Sequence, residues 1–223
     1  MEPRGHKLVG VRIDSGDIAY LSKKIRKELD ENGMQDTKIV ASNSFDEYLI
    51  KSLIEQGAQI DSFGVGENLI CSKTTPVFGG VYKLSSVYKD GVYVPKIKIS
   101  ENVEKLTNPG FKDLYRIYDS NTHMMRADVM VEHGEVIDPK EDFTIYHPNN
   151  MWQYKTFYKG EYYVEELLQP IFIKGHLVYD VPNIDQIREY SKQQLERLWP
   201  QYKRFEYPHL YKVSLTKKLL DIK

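Results

Sequence analysis

Up to about residue 100 the chain alternates short β-rich runs with amphipathic helical stretches. Leu8-Val9-Gly10-Val11-Arg12-Ile13 reads as a strand. Asp17 can cap a helix in which Ile18, Leu21, Ile25 and Leu29 recur at spacings of three and four, and Asn32-Gly33 ends it. Lys38-Ile39-Val40-Ala41 is a second strand. A helix from about Phe45 presents Tyr48, Leu49, Leu53 and Ile54 on one side and stops at Gly57, before a third strand, Gln59-Ile60-Asp61-Ser62-Phe63. Strands alternating with helices predict a parallel sheet with right-handed crossovers. Three such units are fewer than half of a closed barrel, and a three-stranded layer leaves unpaired edges. This portion therefore reads as the end of a larger structure.

The texture changes farther on, and the expected boundary is at residue 105, giving parts 1–105 and 106–223. Gly79-Gly80-Val81-Tyr82-Lys83-Leu84-Ser85-Ser86-Val87 and Val92-Tyr93-Val94-Pro95-Lys96-Ile97-Lys98-Ile99 flank Lys89-Asp90-Gly91, a hairpin-turn signal. Asn108-Pro109-Gly110 marks another turn. Leu114-Tyr115-Arg116-Ile117-Tyr118 and Ala127-Asp128-Val129-Met130-Val131 read as antiparallel strands, the second followed by the turn His133-Gly134-Glu135. Residues 143–180 are rich in Tyr and Phe and predict further short strands or extended loops. A last helix is expected from Ile184 to Trp199, carrying Ile187, Tyr190, Leu195 and Leu198 and ended by Pro200. With no internal repeat and no low-complexity linker, the two parts are expected to pack closely.

Composition narrows the function classes. At 223 residues, 41% hydrophobic and 28% charged, the chain suits one large or two small soluble domains with a proper core. Lys+Arg 31 against Asp+Glu 32 leaves a formal charge of -1, without the global basic field that nucleic acid as a partner usually needs. Cys71 is the only cysteine, so an intrachain disulfide and a cysteine-based zinc cluster are excluded. The polar start Met-Glu-Pro-Arg-Gly-His-Lys is neither a signal peptide nor a membrane span, and a soluble, cytoplasmic chain is expected.

The candidate chemistry sits where each strand hands over to a helix, the face on which barrels of this kind bind ligands. In Asp14-Ser15-Gly16-Asp17 two carboxylates flank a tight turn; ribose hydroxyls are donors, and carboxylates accept from them. A carboxylate near an anomeric carbon also stabilises developing positive charge. Arg12, at the same strand end, can clamp a phosphate or a carboxylate. The competing reading makes Asp17 only a helix cap and Arg12–Asp14 only a buried ion pair. Gly64-Val65-Gly66 lets backbone N–H groups approach an anion, helped by a helix N-terminus, although glycines also serve turns alone. Ser42-Asn43 can donate to the same phosphate or act as a plain cap. All three signals fall at equivalent points of consecutive units.

The wording of these runs resembles nicotinate phosphoribosyltransferase. The resemblance is carried by Val9-Gly10-Val11-Arg12-Ile13-Asp14-Ser15-Gly16-Asp17-Ile18-Ala19-Tyr20-Leu21, Ile39-Val40-Ala41-Ser42-Asn43-Ser44-Phe45-Asp46-Glu47-Tyr48 and Phe63-Gly64-Val65-Gly66. It continues through Pro76-Val77-Phe78-Gly79-Gly80-Val81-Tyr82-Lys83-Leu84, Lys98-Ile99-Ser100-Glu101, Pro109-Gly110-Phe111-Lys112 and Tyr207-Pro208-His209-Leu210-Tyr211-Lys212-Val213-Ser214-Leu215. It implies an α/β fold: the C-terminal portion of an irregular α/β (TIM-like) barrel of the type II phosphoribosyltransferase kind, plus a mainly β appended region and a C-terminal helix. It also implies an enzyme of NAD biosynthesis, usually a homodimer, that joins nicotinate to 5-phosphoribosyl 1-pyrophosphate. ATP hydrolysis is coupled through a phosphorylated histidine, and magnesium (Mg2+) accompanies the pyrophosphate. By position, Arg12 and Asp14 would border the pyridine and ribose as catalytic residues. Ser15, Gly16, Asp17, Ser42, Asn43, Gly64, Val65 and Gly66 would bind substrate, the 5-phosphate being cradled by Ser42, Asn43, Gly64 and Gly66. No residue is assigned to a metal.

The chain departs from the family in length. Members are about twice as long, and the missing part, with the first barrel strands and the phospho-accepting histidine, is expected before residue 1. His6 reads as a solvated loop residue, and His123, His133, His147, His176 and His209 form no metal-ligand pattern. The chain is thus expected to be inactive alone and to associate with a missing N-terminal half or with a second copy. Gly66-Glu67-Asn68 is a smaller departure, since many relatives carry Thr-Lys or Thr-Arg there. Two other functions compete: an inert phosphate-binding or assembly module, and a barrel lyase or isomerase. The latter needs a lysine or base at a strand's end, whereas Lys7 and Lys38 stand at strand beginnings.

Overall fold

The computed structural model describes residues 5–77, 79–101 and 106–223. Phe78, within the matched run Pro76–Leu84, and the expected boundary at residue 105 lie outside the described residues. Two compact units divide at Gly80/Val81.

The first unit is a three-stranded parallel sheet, β1 (Gly10–Ile13), β2 (Lys38–Ser42) and β3 (Ser62–Gly64), in the order β1-β2-β3. The connections are α1 (Ile18–Glu31) and α2 (Glu47–Glu55), and a single turn, α3 (Glu67–Ile70), follows β3. Asp17 caps α1 by accepting from the Tyr20 N–H at 2.9 Å, and Asp46 caps α2 by accepting from the Leu49 N–H at 2.8 Å. Gly33, at φ +75°, turns the chain out of α1 in the left-handed region. Ile13, Ile18, Ala19, Leu29, Ile39, Ala41, Phe45 and Leu53 form the core. Central β2 alternates, burying Ile39 and Ala41. The expected apolar side of α2 is only partly used: Leu53 is buried, while Tyr48, Leu49 and Ile54 stay exposed, because three strands offer too little surface to cover that side. Both β1 and β3 are edge strands.

Asp61 ties the start of β2 to the approach of β3, accepting from the Ile39 N–H at 2.8 Å and the Lys38 ammonium at 3.1 Å. The Ile39 N–H first, and Lys38 next, hold its carboxyl below the ordinary 3.8. The stabilisation is therefore complete above the ordinary carboxylate range and fades as pH falls toward the folded-state value. Asp61→Asn is expected to flatten the loss of stability below about pH 4, read from urea melts at acidic and neutral pH.

The second unit holds two small hairpins and a six-stranded sheet. One hairpin is β4 (Ser86–Lys89) with β5 (Val92–Pro95), turned by Asp90 and Gly91 at φ +51° and +85°, the geometry an Asp-Gly hairpin turn requires. The large sheet comprises β6 (Lys112–Asp119), β7 (Met125–Glu132), β8 (Phe143–His147), β9 (Asn150–Phe157), β10 (Tyr162–Glu166) and β13 (Val213–Leu215). The second hairpin is β11 (Phe172–Ile173) with β12 (His176–Leu177). In the order β10-β6-β7-β13-β8-β9 every pair is antiparallel except β7 with β13. Ile117, Ala127, Val129, Val131, Ile145, Phe157 and Tyr162 form its core. The helix expected at 184–199 is α4 (Ile184–Glu196), started by a capping box between Asn183 and Gln186. A last helix, α5 (Lys217–Ile222), was not expected. Thr216 caps it, accepting from the Leu219 N–H at 3.3 Å.

Arg116 and Asp128 stand directly opposite each other on β6 and β7. The guanidinium grips the carboxylate twice, Nε to Oδ1 at 2.8 Å and Nη2 to Oδ2 at 2.9 Å, while Tyr211 donates its hydroxyl to Oδ1 at 3.0 Å. Arg116 Nη1 also reaches Gln194 on α4 at 3.3 Å. Hydrogen bonding to Asp128 raises the Arg116 pKa, and burial followed by the Asp128 charge raises that of Tyr211. The network fastens α4 and the segment before β13 onto one face of the sheet.

Candidate functional site

Parallel pairing in the first unit brings the three strand-to-helix loops to one edge of its sheet. Ile13 pairs with Ala41, Ala41 with Phe63, and Ser42 with Gly64, so all three strands end nearly level. The loops are joined by side chains. Asn43 Nδ2 donates to the Asp14 carbonyl at 3.1 Å and Arg12 Nε to Ser42 Oγ at 2.6 Å, linking the first loop to the second. Asn68 Nδ2 donates to the carbonyls of Ser44 and Phe45 at 3.2 and 2.9 Å, linking the second loop to the third.

Each expected site residue has a definite place here. Arg12 pairs with Asp14 at 3.5 Å, but with their side chains 64% and 57% exposed the pair lies at the surface, not buried as the competing reading required. A pair so exposed adds little stability and leaves both charges accessible to a ligand. Ser15 and Gly16 form an exposed turn, in which φ +78° calls for glycine at 16. Asp17 is exposed and caps α1, one of its oxygens accepting from the Tyr20 N–H. Ser42, having accepted from Arg12, retains its own O–H to donate. Asn43 Oδ1 accepts from the Ser44 N–H at 2.6 Å, which fixes the amide within its loop.

At Gly64 a Cβ would lie 3.2 Å from the Ser42 Cβ, so glycine there lets β3 approach β2 closely. Val65 is half-buried against the core. Gly66 precedes α3 at φ −102° and ψ −112°, outside the usual helical and extended regions, and α3 is a single turn. The expected help from a helix N-terminus is therefore weak, and an anion at this loop would rest on individual backbone N–H groups. Glu67 pairs with Lys73 at 3.2 Å, which offsets the acidic charge beside the loop.

Asn68 is the residue the sequence reading missed, because only the folded chain shows which carbonyls it reaches. Its Oδ1 is buried with no hydrogen-bond partner among the described residues. Lys38, at the beginning of β2, is paired with Asp61 at the far end of the strand from the loops, which disfavours a Schiff-base role. His6 is exposed. Among the described residues no group of three or more His, Cys, Asp or Glu is arranged to hold a metal ion. Among the same residues no helix is long and apolar enough to cross a membrane.

The edge thus offers exposed carboxylates, a guanidinium, a hydroxyl and glycine backbone within three linked loops, a combination suited to a sugar bearing an anion. Comparison with known proteins points the same way. The family model described as "Nicotinate phosphoribosyltransferase C-terminal domain" matches residues 111–223. The chain is 42% identical over 208 residues to the nicotinate phosphoribosyltransferase of Bacillus subtilis (strain 168), covering 93% of this chain and 42% of that protein. It is 35% identical to the Dictyostelium discoideum enzyme of the same name, covering 97% and 38%. The crystal structure of human nicotinic acid phosphoribosyltransferase superposes with a TM-score of 0.71 at 25% identity, over 98% of this chain and 40% of that one. Nicotinate-nucleotide pyrophosphorylase from Pyrococcus furiosus, with a TM-score of 0.55 and 23% identity, shares the fold. The chain spans about two fifths of the length of the relatives it matches.

Proposed function

This chain belongs to the nicotinate phosphoribosyltransferase family, and from that premise we propose that it supplies the ribose-phosphate part of that enzyme's site. The reaction joins nicotinate to 5-phosphoribosyl 1-pyrophosphate, releasing pyrophosphate and giving nicotinate mononucleotide for NAD biosynthesis. The observation that carries the reading is the linkage of the three loops, above all the 3.1 Å bond from Asn43 to the Asp14 carbonyl and the 2.6 Å bond from Arg12 to Ser42.

Substitution at the anomeric carbon builds positive charge on the ribose ring, so catalysis rests on positioning and on fixed negative charge. Asp14 is the carboxylate for that charge, with Ser15, Gly16 and Asp17 shaping its turn. Arg12 faces the pyridine carboxylate or the departing pyrophosphate. Ser42, Asn43, Gly64 and Gly66 cradle the 5-phosphate, and Val65 anchors the third loop to the core. Magnesium suits this donor set, since that ion binds one or two carboxylates together with substrate phosphates and keeps several waters. Asp14 is the exposed carboxylate that would share it, and the ion would neutralise pyrophosphate charge. ATP coupling is part of the proposed activity, with no residue of these loops assigned to it. The open edges of β1 and β3 support the larger proposal that further strands complete a TIM-like barrel, while a cytoplasmic, dimeric enzyme is proposed on the family resemblance alone.

The test is formation of nicotinate mononucleotide by the chain alone, and by the chain co-expressed with the part of the Bacillus subtilis relative that it does not cover. Turnover is expected only from the combination. Turnover by the unaided chain, or none from a well-folded combination, would count against the assignment.

A further inference from the structure

The second unit carries a cleft that the proposed reaction does not use. In the sheet, β13 pairs with β7 at three positions but with β8 only at Leu215 opposite Tyr146, among the described residues. Beside that pair a cavity of about 560 Å3 is lined by residues of β8, β9 and β13 and by the segment before β13. Its floor is Ile145 and Ser214, both buried. One wall comes from the segment 209–213, whose wording matched the family yet which takes no part in the three loops. The other comes from β8 and β9.

The charge of the lining is one-sided. Lys155 and Lys212 face it together with His147 and His209, and no carboxylate lines it. Neither lysine has an ion-pair partner among the described residues. Asp128 reaches the area through the Tyr211 hydroxyl, but Arg116 already neutralises it. His147 Nδ1 accepts from the Asn149 N–H at 3.2 Å, which leaves Nε2 to carry the ring proton and donate. Tyr154, Leu210 and Val213 add apolar surface. In a chain of net charge -1, uncompensated cations around a concave, partly apolar surface are an anion site with room for an organic body.

We propose that this cleft binds an organic phosphate of nucleotide size, its phosphate held by Lys155 and Lys212 with the histidines, and its body against Tyr154, Leu210 and Val213. The cavity lies within the usual range for small-molecule sites of about 300–1,000 Å3. The proposal does not depend on the ribosyl site.

The test follows the imidazole proton resonances of His147 and His209 in the full chain as adenosine 5′-monophosphate, inorganic phosphate or adenosine is added. Both histidines are expected to shift with the two phosphates and not with adenosine. The nucleotide should bind at least about tenfold more tightly than inorganic phosphate, through its buried body. Lys155→Ala/Lys212→Ala should weaken the nucleotide at least about tenfold by removing two charged donors. Should the double variant lose its native circular dichroism, Lys155→Gln alone replaces it, with the same direction expected. Asn43→Ala, in the first unit's loops, should leave both histidine responses unchanged, which separates this site from phosphate bound there. Histidines silent to the phosphates, adenosine binding as well as its monophosphate, equal affinity for both phosphates, or undiminished binding by the lysine variants would overturn the proposal.

Discussion

Asp128→Ala will cost the second unit about 3–5 kcal/mol of stability, the range for leaving one member of a buried ion pair without its partner. The side chains of Arg116 and Asp128 are 19% and 13% exposed, so water cannot replace the lost carboxylate well. Two guanidinium bonds and the Tyr211 bond disappear together. With them goes the side-chain tie to the segment before β13, whereas the Arg116 bond to Gln194 on α4 does not involve Asp128, so strand 213–215 should loosen first. The contrast is Asp14→Ala. The Arg12–Asp14 pair is 64% and 57% exposed, and its loss should cost no more than about 1 kcal/mol. Chemical denaturation of the two variants beside the wild type checks both figures. Equal effects would mean that exposure does not govern these pairs. Replacing both partners, as Arg116→Leu/Asp128→Leu, should cost less than Asp128→Ala, because no charge is then stranded.

On the proposed function, Asn43→Asp will lower turnover of the completed enzyme by about a hundredfold, the order reached when one oriented electrostatic contact of a site is lost. The amide is fixed from both ends, Oδ1 by the Ser44 N–H and Nδ2 by the Asp14 carbonyl. A carboxylate there would face that carbonyl oxygen without a proton and would add negative charge beside the proposed 5-phosphate position. The first two loops would part, and the Michaelis constant for 5-phosphoribosyl 1-pyrophosphate should rise as turnover falls. Asp46→Asn, at the cap of α2, disturbs the same loop without changing the charge next to the phosphate. It should retain most activity. Steady-state kinetics on the two variants decides the matter: comparable losses would make the effect one of general loop damage.

The parts of this molecule written in local chemistry could be read from the chain. The cap Asp17, the Asn32-Gly33 stop, the Asp90-Gly91 hairpin and the β6–β7 pair each depend on residues close in sequence, whereas the cap of α2 is Asp46 and not the Ser42-Asn43 pair that could also have served. The site's outline is local too, since β1, β2 and β3 end where their apolar runs end. What could not be read depends on distant partners. β13 is three residues long, too short for periodicity, and its place between β7 and β8 is set by pairing with partners more than sixty residues away. Asn68 looks like an ordinary helix residue until the fold brings the Ser44 and Phe45 carbonyls to it. The exposed side of α2 has the pattern of a core helix, and nothing in Tyr48, Leu49 or Ile54 reveals how much surface three strands provide.

Amide chemical-shift mapping of the chain with ribose 5-phosphate tests the central claim most directly, because it needs neither nicotinate nor the rest of the enzyme. The account predicts that the backbone signals of Asp14, Asn43, Gly64 and Gly66 move together, with one shared dissociation constant, and that Asn43→Asp abolishes the response. Signals from the three loops that stay still, or that titrate with separate constants, would contradict it.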